Sequence, residues 1–158
     1  MRGRLHQSTS TFAIPPRFES AQDFREKLAA VRIGGLWGFI DTDGRLVIPP
    51  RFEQTQSFQE GLAAVKINGK WGFVDRAGAL TIPPRFEAVE PFSESLAIAY
   101  RHGRPFYIDR KGQTKIAGPF REATPFVHGL AAVLIGKNHV AYINDAGKTV
   151  FDYFRHQP

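Results

Sequence analysis

Leu62-Ala63-Ala64-Val65-Lys66-Ile67-Asn68-Gly69-Lys70-Trp71-Gly72-Phe73-Val74-Asp75-Arg76-Ala77-Gly78-Ala79-Leu80-Thr81-Ile82-Pro83-Pro84 reads as three short strands joined by two tight turns. Its opening, Leu62 to Ile67, is apolar with a β-branched end. Asn68-Gly69 follows, the strongest two-residue hairpin signal, because both residues tolerate the positive φ that a type I′ turn needs. Lys70 to Asp75 alternates large and small side chains, as a strand does. In Asp75-Arg76-Ala77-Gly78 the aspartate can bond its own backbone, so a second turn is expected. Ala79 to Ile82 is the third strand, and Pro83-Pro84 stops it because proline donates nothing to a ladder. Residues 85–95, which include Pro91, are expected to link to the next copy with at most one helical turn.

The pattern recurs. Phe18, Phe52, Phe86, Phe120 and Phe154 stand 34 residues apart, and Leu28, Leu62, Leu96 and Leu130 keep the same step. A fixed period of this length means one supersecondary unit copied in tandem. Gly34-Gly35, His102-Gly103 and Gly136-Lys137-Asn138 take the hairpin turn. Gly44, Gly78 and Gly112 take the second turn, as Gly147 does after a one-residue insertion. The same period suits helical tetratricopeptide repeats, but those need two amphipathic helices per unit. Pro-Pro pairs, paired glycine turns and β-branched strands speak against helices here. The expected fold is all-β: four tandem three-stranded antiparallel meanders of 34 residues, stacked as an open, curved solenoid or propeller-like array. A lone meander is marginal, so each must bury a face on its neighbour. Ala29, Val31 and Ile33, with Ala63, Val65 and Ile67, mark that face, and Arg32 and Lys66 the opposite one. Residues 1–9 read as a flexible N-terminal tail and 10–158 as one domain, with repeats near 14–47, 48–81, 82–115 and 116–150. Partial third strands are expected at both ends, Ser10 to Pro16 and Thr149 to Phe154.

Gly35-Leu36-Trp37-Gly38-Phe39-Ile40-Asp41 and Gly69-Lys70-Trp71-Gly72-Phe73-Val74-Asp75 resemble the signature of WG repeats, named for the Trp-Gly pair. The Ile-Pro-Pro-Arg-Phe-Glu and Leu-Ala-Ala-Val segments are similar to that family too, and the resemblance runs from Thr11 onward. The third copy departs from it with Arg104-Pro105-Phe106-Tyr107, and the fourth with His139-Val140-Ala141-Tyr142. WG repeats are mostly bacterial and often parts of larger proteins. The resemblance implies the β-repeat fold and brings with it no catalytic residue.

The 158 residues suit one compact domain. There is no cysteine, which excludes disulfides, thiol catalysis and Cys-based zinc sites. The net charge is +6, favouring acidic partners, nucleic acid or an anionic surface. No apolar run approaches the length of a membrane helix, and the basic N-terminus leads into no signal-peptide core. A soluble, cytoplasmic protein without membrane insertion is expected, or an exported one where a leader has been removed.

Few residues carry chemistry outside the repeat. Trp37 and Trp71 are either ligand-stacking platforms or core; together with Phe18, Phe52, Phe86 and Phe120 they are assigned to the repeat core. Arg17, Arg51 and Arg85 form a column 34 residues apart that can hold an acidic peptide or a phosphate backbone. Glu19, Glu53 and Glu87 recur two residues on, and local pairing with them is the favoured account. Tyr100, Arg101, Arg104, Phe106 and Tyr107 interleave bases with aromatics in the irregular third copy, near His102, Arg110 and Lys111, a pattern suited to anionic peptides or single-stranded nucleic acid. Asp41-Thr42-Asp43-Gly44 resembles the start of a calcium loop but lacks its later ligands, and the five histidines lack metal spacing. Every conspicuous acid is repeated, whereas a catalytic acid is needed only once. No cofactor and no enzymatic activity are expected. The reading is a protein-interaction or scaffold module binding an unknown protein partner, with nucleic acid or another polyanion as the alternative.

Overall fold

The structure, a computed structural model, describes residues 18–156. The expected tail, the opening strand from Ser10 to Pro16 and Arg17 lie outside the described residues. The described chain forms four antiparallel sheets with no helix. The first holds β1 (Ser20–Ala21), β2 (Ala29–Ile33), β3 (Leu36–Ile40) and β4 (Leu46–Phe52). The second holds β5 (Gln54–Thr55), β6 (Leu62–Ile67), β7 (Lys70–Asp75) and β8 (Leu80–Phe86). The third holds β9 (Ala88–Val89), β10 (Ala97–Arg101), β11 (Arg104–Ile108) and β12 (Thr114–Ile116). The fourth holds β13 (Glu122–Ala123), β14 (Ala131–Ile135), β15 (His139–Ile143) and β16 (Thr149–Phe154). Within each sheet the strands lie in chain order.

Each unit thus has four strands rather than three. The extra one comes from the supposed connector, which turns back as a second hairpin. Gln59 and Leu62 exchange backbone hydrogen bonds of 2.9 and 3.1 Å around Glu60-Gly61, whose φ values are 54° and 81°. Glu26-Lys27, Glu94-Ser95 and His128-Gly129 make the same corner. The sheets cover residues 20–52, 54–86, 88–116 and 122–154, so the unit boundary falls after the Phe of Ile-Pro-Pro-Arg-Phe rather than before its Ile. A period fixes the repeat length and leaves its phase free.

The sheets stack face to face, and the inner ones are buried on both sides, not on the one face expected. Ala63, Val65 and Val74 pack with Phe39, Ile48 and Phe52 of the first sheet, while Ala64, Phe73, Ile82 and Phe86 pack with Ala97, Ala99 and Ile108 of the third. The third sheet's far side, with Ile98, Tyr107 and Ile116, packs on Ala131, Val133 and Ile143. The joints share one device. Phe58 meets Phe39 edge-on at 4.9 Å, Phe92 meets Phe73 at 4.8 Å, and Phe126 meets Tyr107 at 5.0 Å. Such T-shaped pairs contribute about 0.5–1.5 kcal/mol beyond their buried area. A carboxylate ladder runs beside the rings: Glu26 accepts from Gly61 N, Glu60 from Glu94 N and Ser95 N, and Glu94 from His128 N and Gly129 N.

Candidate functional site at the third sheet

The Trp-Gly and Pro-Pro pairs explain each other. Trp71 lies opposite Phe86 and Phe73 opposite Ile82, so two steps on β7 face four on β8. The extra residues, Pro83 and Pro84, bulge from the ladder as unpaired bulge residues do. Their backbone lies against Gly72, where a Cβ would stand 2.3 Å from Ile82 O and 2.7 Å from Pro84 N. Gly38 is in the same position against Ile48 O, at 2.4 Å. Only glycine lets the bulged strand come this close.

The third sheet breaks the arrangement. Pro105 stands at the Trp position and Phe106 at the Gly position, so the third strand cannot follow the same path. It pairs only at Tyr107–Ile116 and Ile108–Thr114, and β12 ends after three residues where β4 and β8 have seven. Beyond Ile116 the ladder opens into a cavity of about 220 Å³. Pro105, Phe106, Ala117, Pro119 and Phe120 make it mainly apolar, with Thr114 beside them and Arg101, His102 and Arg104 completing the lining. The Arg101 guanidinium lies over the Phe106 ring, 4.6 Å from its centroid. The hairpin below is set by Glu87, whose carboxylate accepts from His102 N at 2.8 Å and Gly103 N at 3.3 Å. Those two backbone bonds hold the Glu87 carboxyl below its ordinary value. The fourth sheet solves the same problem differently: Ala141 replaces the glycine, and β16 pairs residue for residue from Tyr142–Phe151 to His139–Phe154 with no bulge.

Of the seven residues expected to bind a partner, Arg101 and Arg104 reach this cavity. Arg17 lies outside the described residues. The Arg–Glu pairing expected along the column is replaced by two separate uses. Arg51 donates to Gly78 O at 2.6 Å and Arg85 to Gly112 O at 2.5 Å, each lying over its neighbouring Phe ring. Glu53 accepts from Asn68 N and Gly69 N of the hairpin turn. Arg51 and Arg85 are therefore engaged in joining sheets. Tyr107 is a core residue whose hydroxyl donates to Thr124 O, and burial pushes its phenol up. Tyr100 is half-buried and donates to Glu90; burial first and Glu90 second push it up to about 12. Phe52, Phe86 and Phe120 are buried, Trp37 and Trp71 are half-buried against the joints, and Phe18 packs on Ala29, Val31 and Ile40. Phe154 keeps the numerical step but not the role: it is exposed and stacks on His139 at 4.5 Å. The three-residue turn Gly136-Lys137-Asn138 and the missing bulge shift it out of the column.

Sequence reasoning named the departure at Arg104-Pro105-Phe106-Tyr107, with Phe106 among the aromatics there, but passed over Thr114, Ala117 and Pro119. Aligning the third copy on Pro83-Pro84 would have singled out the stretch from Ala117 to Pro119. The supposed calcium loop is a turn: Asp41 Oδ1 accepts from Asp43 N and Arg45 N at 2.9 Å, as Asp75, Asp109 and Asn144 do in their copies. Among the described residues no cluster of metal-ligating side chains occurs, and no helix is long and apolar enough to cross a membrane.

No curated protein matches the chain. Among solved structures it is similar to a eukaryotic initiation factor (14% identity, TM-score 0.62, 93% of this chain and 48% of that one). It is also similar to KlHsv2 with loop 6CD replaced by a Gly-Ser linker (10%, TM-score 0.58, 90% and 55%). A weaker likeness reaches the WD40 beta propeller domain of Doa1 (9%, TM-score 0.44, 84% and 52%). The chain spans about half the length of these structures, and the first two share its fold of successive four-stranded antiparallel sheets. A family model described as WG containing repeat matches residues 9–37, 37–71, 71–103 and 106–138. The chain belongs to the family of the WG containing repeat.

Proposed function

We propose that this chain is a non-catalytic interaction module that holds an acidic, partly apolar segment of a partner protein at the third sheet. The observation that carries the reading is the opened β11–β12 ladder, which pairs an apolar cavity with Arg101 and Arg104 where the repeat departs from its own packing rule and leaves the third strand short. A guanidinium binds carboxylates well, and an apolar floor favours a protein segment over a bare polyanion. The acids support a non-catalytic role. Asp75 and Asp109 cap turns, Glu53 and Glu87 cap hairpins, and Glu60 and Glu94 join sheets, so these carboxylates are committed to backbone N–H groups. Nucleic acid is the second reading, favoured by Arg101, Arg104, Lys111 and Lys115 lying on one sheet and its turn. The test is capture from a source lysate with and without nuclease, using the natural chain and an Arg101→Glu/Arg104→Glu variant. A protein retained after nuclease by the natural chain and lost by the variant supports the reading. Recovery abolished by nuclease moves it to nucleic acid, and equal capture by both chains removes the third sheet from it.

A further inference from the structure

The joints between sheets define a plug and a socket, and the described chain leaves one of each without its counterpart. Phe58, Phe92 and Phe126 are the plugs, each buried against the preceding sheet. Phe24 is the same residue in the first sheet. It lies over its own Ala29, Val31 and Ile40 but stays half-buried. At the other end, the register pairs Phe39–Ile48, Phe73–Ile82 and Tyr107–Ile116 form the sockets, and Tyr142–Phe151 is the fourth. Phe151 is 55% exposed where Ile48 and Ile82 are 0%, and Leu130 is 37% exposed where Leu28 and Leu62 are 5%. Tyr153, beside them, is 44% exposed. A face that is buried in three copies stands open in the fourth.

We propose that this open face receives Phe24 of a second copy of the chain, and that two copies close head to tail into one ring. Two observations choose a second copy over another occupant. The face continues an interface this chain already makes three times with its own next unit, so the fitting surface is the leading face of the first sheet. The array also spans 48% and 55% of the two structures it resembles at TM-scores of 0.62 and 0.58, so two arrays match about one such structure in length. A heterologous contact that closes in two steps gives a twofold ring with two identical joints. The joint lacks one part. His128 stands where Glu26, Glu60 and Glu94 supply the ladder carboxylate, so the N–H groups of Glu26 and Lys27 of the second copy meet no acid. The ring is therefore reversible, held by the aromatic joint without its ladder bonds. This inference is independent of the binding role of the third sheet.

The test is sedimentation equilibrium of the 158-residue chain over a wide concentration range. The expected result is a reversible shift from 17.7 kDa to twice that mass and no further. Phe24→Ala and Phe151→Ser should each abolish the shift; Phe151 is exposed, so that variant leaves the monomer folded. His128→Glu should complete the ladder and tighten association about tenfold, the scale of a charge-assisted hydrogen bond. A monomer at every concentration in both the natural chain and His128→Glu overturns the proposal. So does growth beyond two copies, or a dimer lost with Phe151→Ser but kept with Phe24→Ala, which would mean that two β16 edges pair with each other.

Discussion

Gly72→Ala sets two effects of opposite sign against each other. Alanine restricts the unfolded chain more than glycine and, where the native backbone accepts it, stabilises by about 0.4–1 kcal/mol. At Gly72 the added Cβ would stand 2.3 Å from Ile82 O, with the Pro83 and Pro84 backbone at 2.7 Å. Carbon and backbone oxygen do not approach below about 3 Å, so β8 must move by more than half an ångström. The atoms in the way are backbone, which cannot swing aside. Ile82 is fully buried and Phe86 nearly so, and moving β8 disturbs their packing against the third sheet. Overpacking of this kind costs about 1–3 kcal/mol, which exceeds the entropic gain. For a chain of this size each kcal/mol lowers the melting temperature by about 2–4 °C, so a fall of several degrees is expected in a thermal scan by circular dichroism. Urea unfolding should show the same sign. An unchanged or raised melting temperature would refute the account of why tryptophan-glycine and proline-proline occur together.

Gly69→Val should destabilise by about 1–2 kcal/mol, the cost of left-handed backbone for a residue with a Cβ, because φ there is 79° while the space around it is open; a stability equal to the natural chain's counts against the turn. Phe92→Ala should cost about 3–5 kcal/mol in urea unfolding, as expected for a buried aromatic. Phe24→Ala should cost clearly less in the monomer, and equal losses would contradict the plug account. The Glu87 carboxyl is held low by His102 N and Gly103 N, so what it contributes to the hairpin is present above its unfolded value and lost as pH falls through the lowered folded value. Carboxyl NMR should place its midpoint below that of a free glutamate. The His102 and Gly103 amides should lose protection in acid, and a midpoint at or above the ordinary value would sink this.

The repeat length, both glycine turns and the strand directions were legible because they follow from local chemistry: positive φ at Asn68-Gly69, an Asx turn at Asp75, a proline stop at Pro83. The four-strand unit was not. Its corner turns use Glu26-Lys27, Glu60-Gly61 and Glu94-Ser95, and glutamate is no turn signal; in the second and third corners carboxylates of the preceding sheet bond the N–H groups of Gly61, Glu94 and Ser95. A second aromatic column, Phe24, Phe58, Phe92 and Phe126, stood in plain view at the same step of 34, inside the stretch taken for a connector. The arginine column was legible as a column but not in its use, because the acceptors Gly78 O and Gly112 O lie 27 residues away and belong to the next sheet. The departure at Arg104-Pro105-Phe106 was visible in the sequence. That it opens a cavity depends on how closely Gly72 lets β8 approach in its sister copy, a distance no pattern of residues displays.

The most direct test of the central claim, that the irregular third sheet is the working surface, is lysine cross-linking of the captured partner read by mass spectrometry. The account predicts cross-links at Lys111, in the second turn of the third sheet, and at Lys115 on β12. Cross-links concentrated instead at Lys66 and Lys70 of the regular second sheet would contradict it.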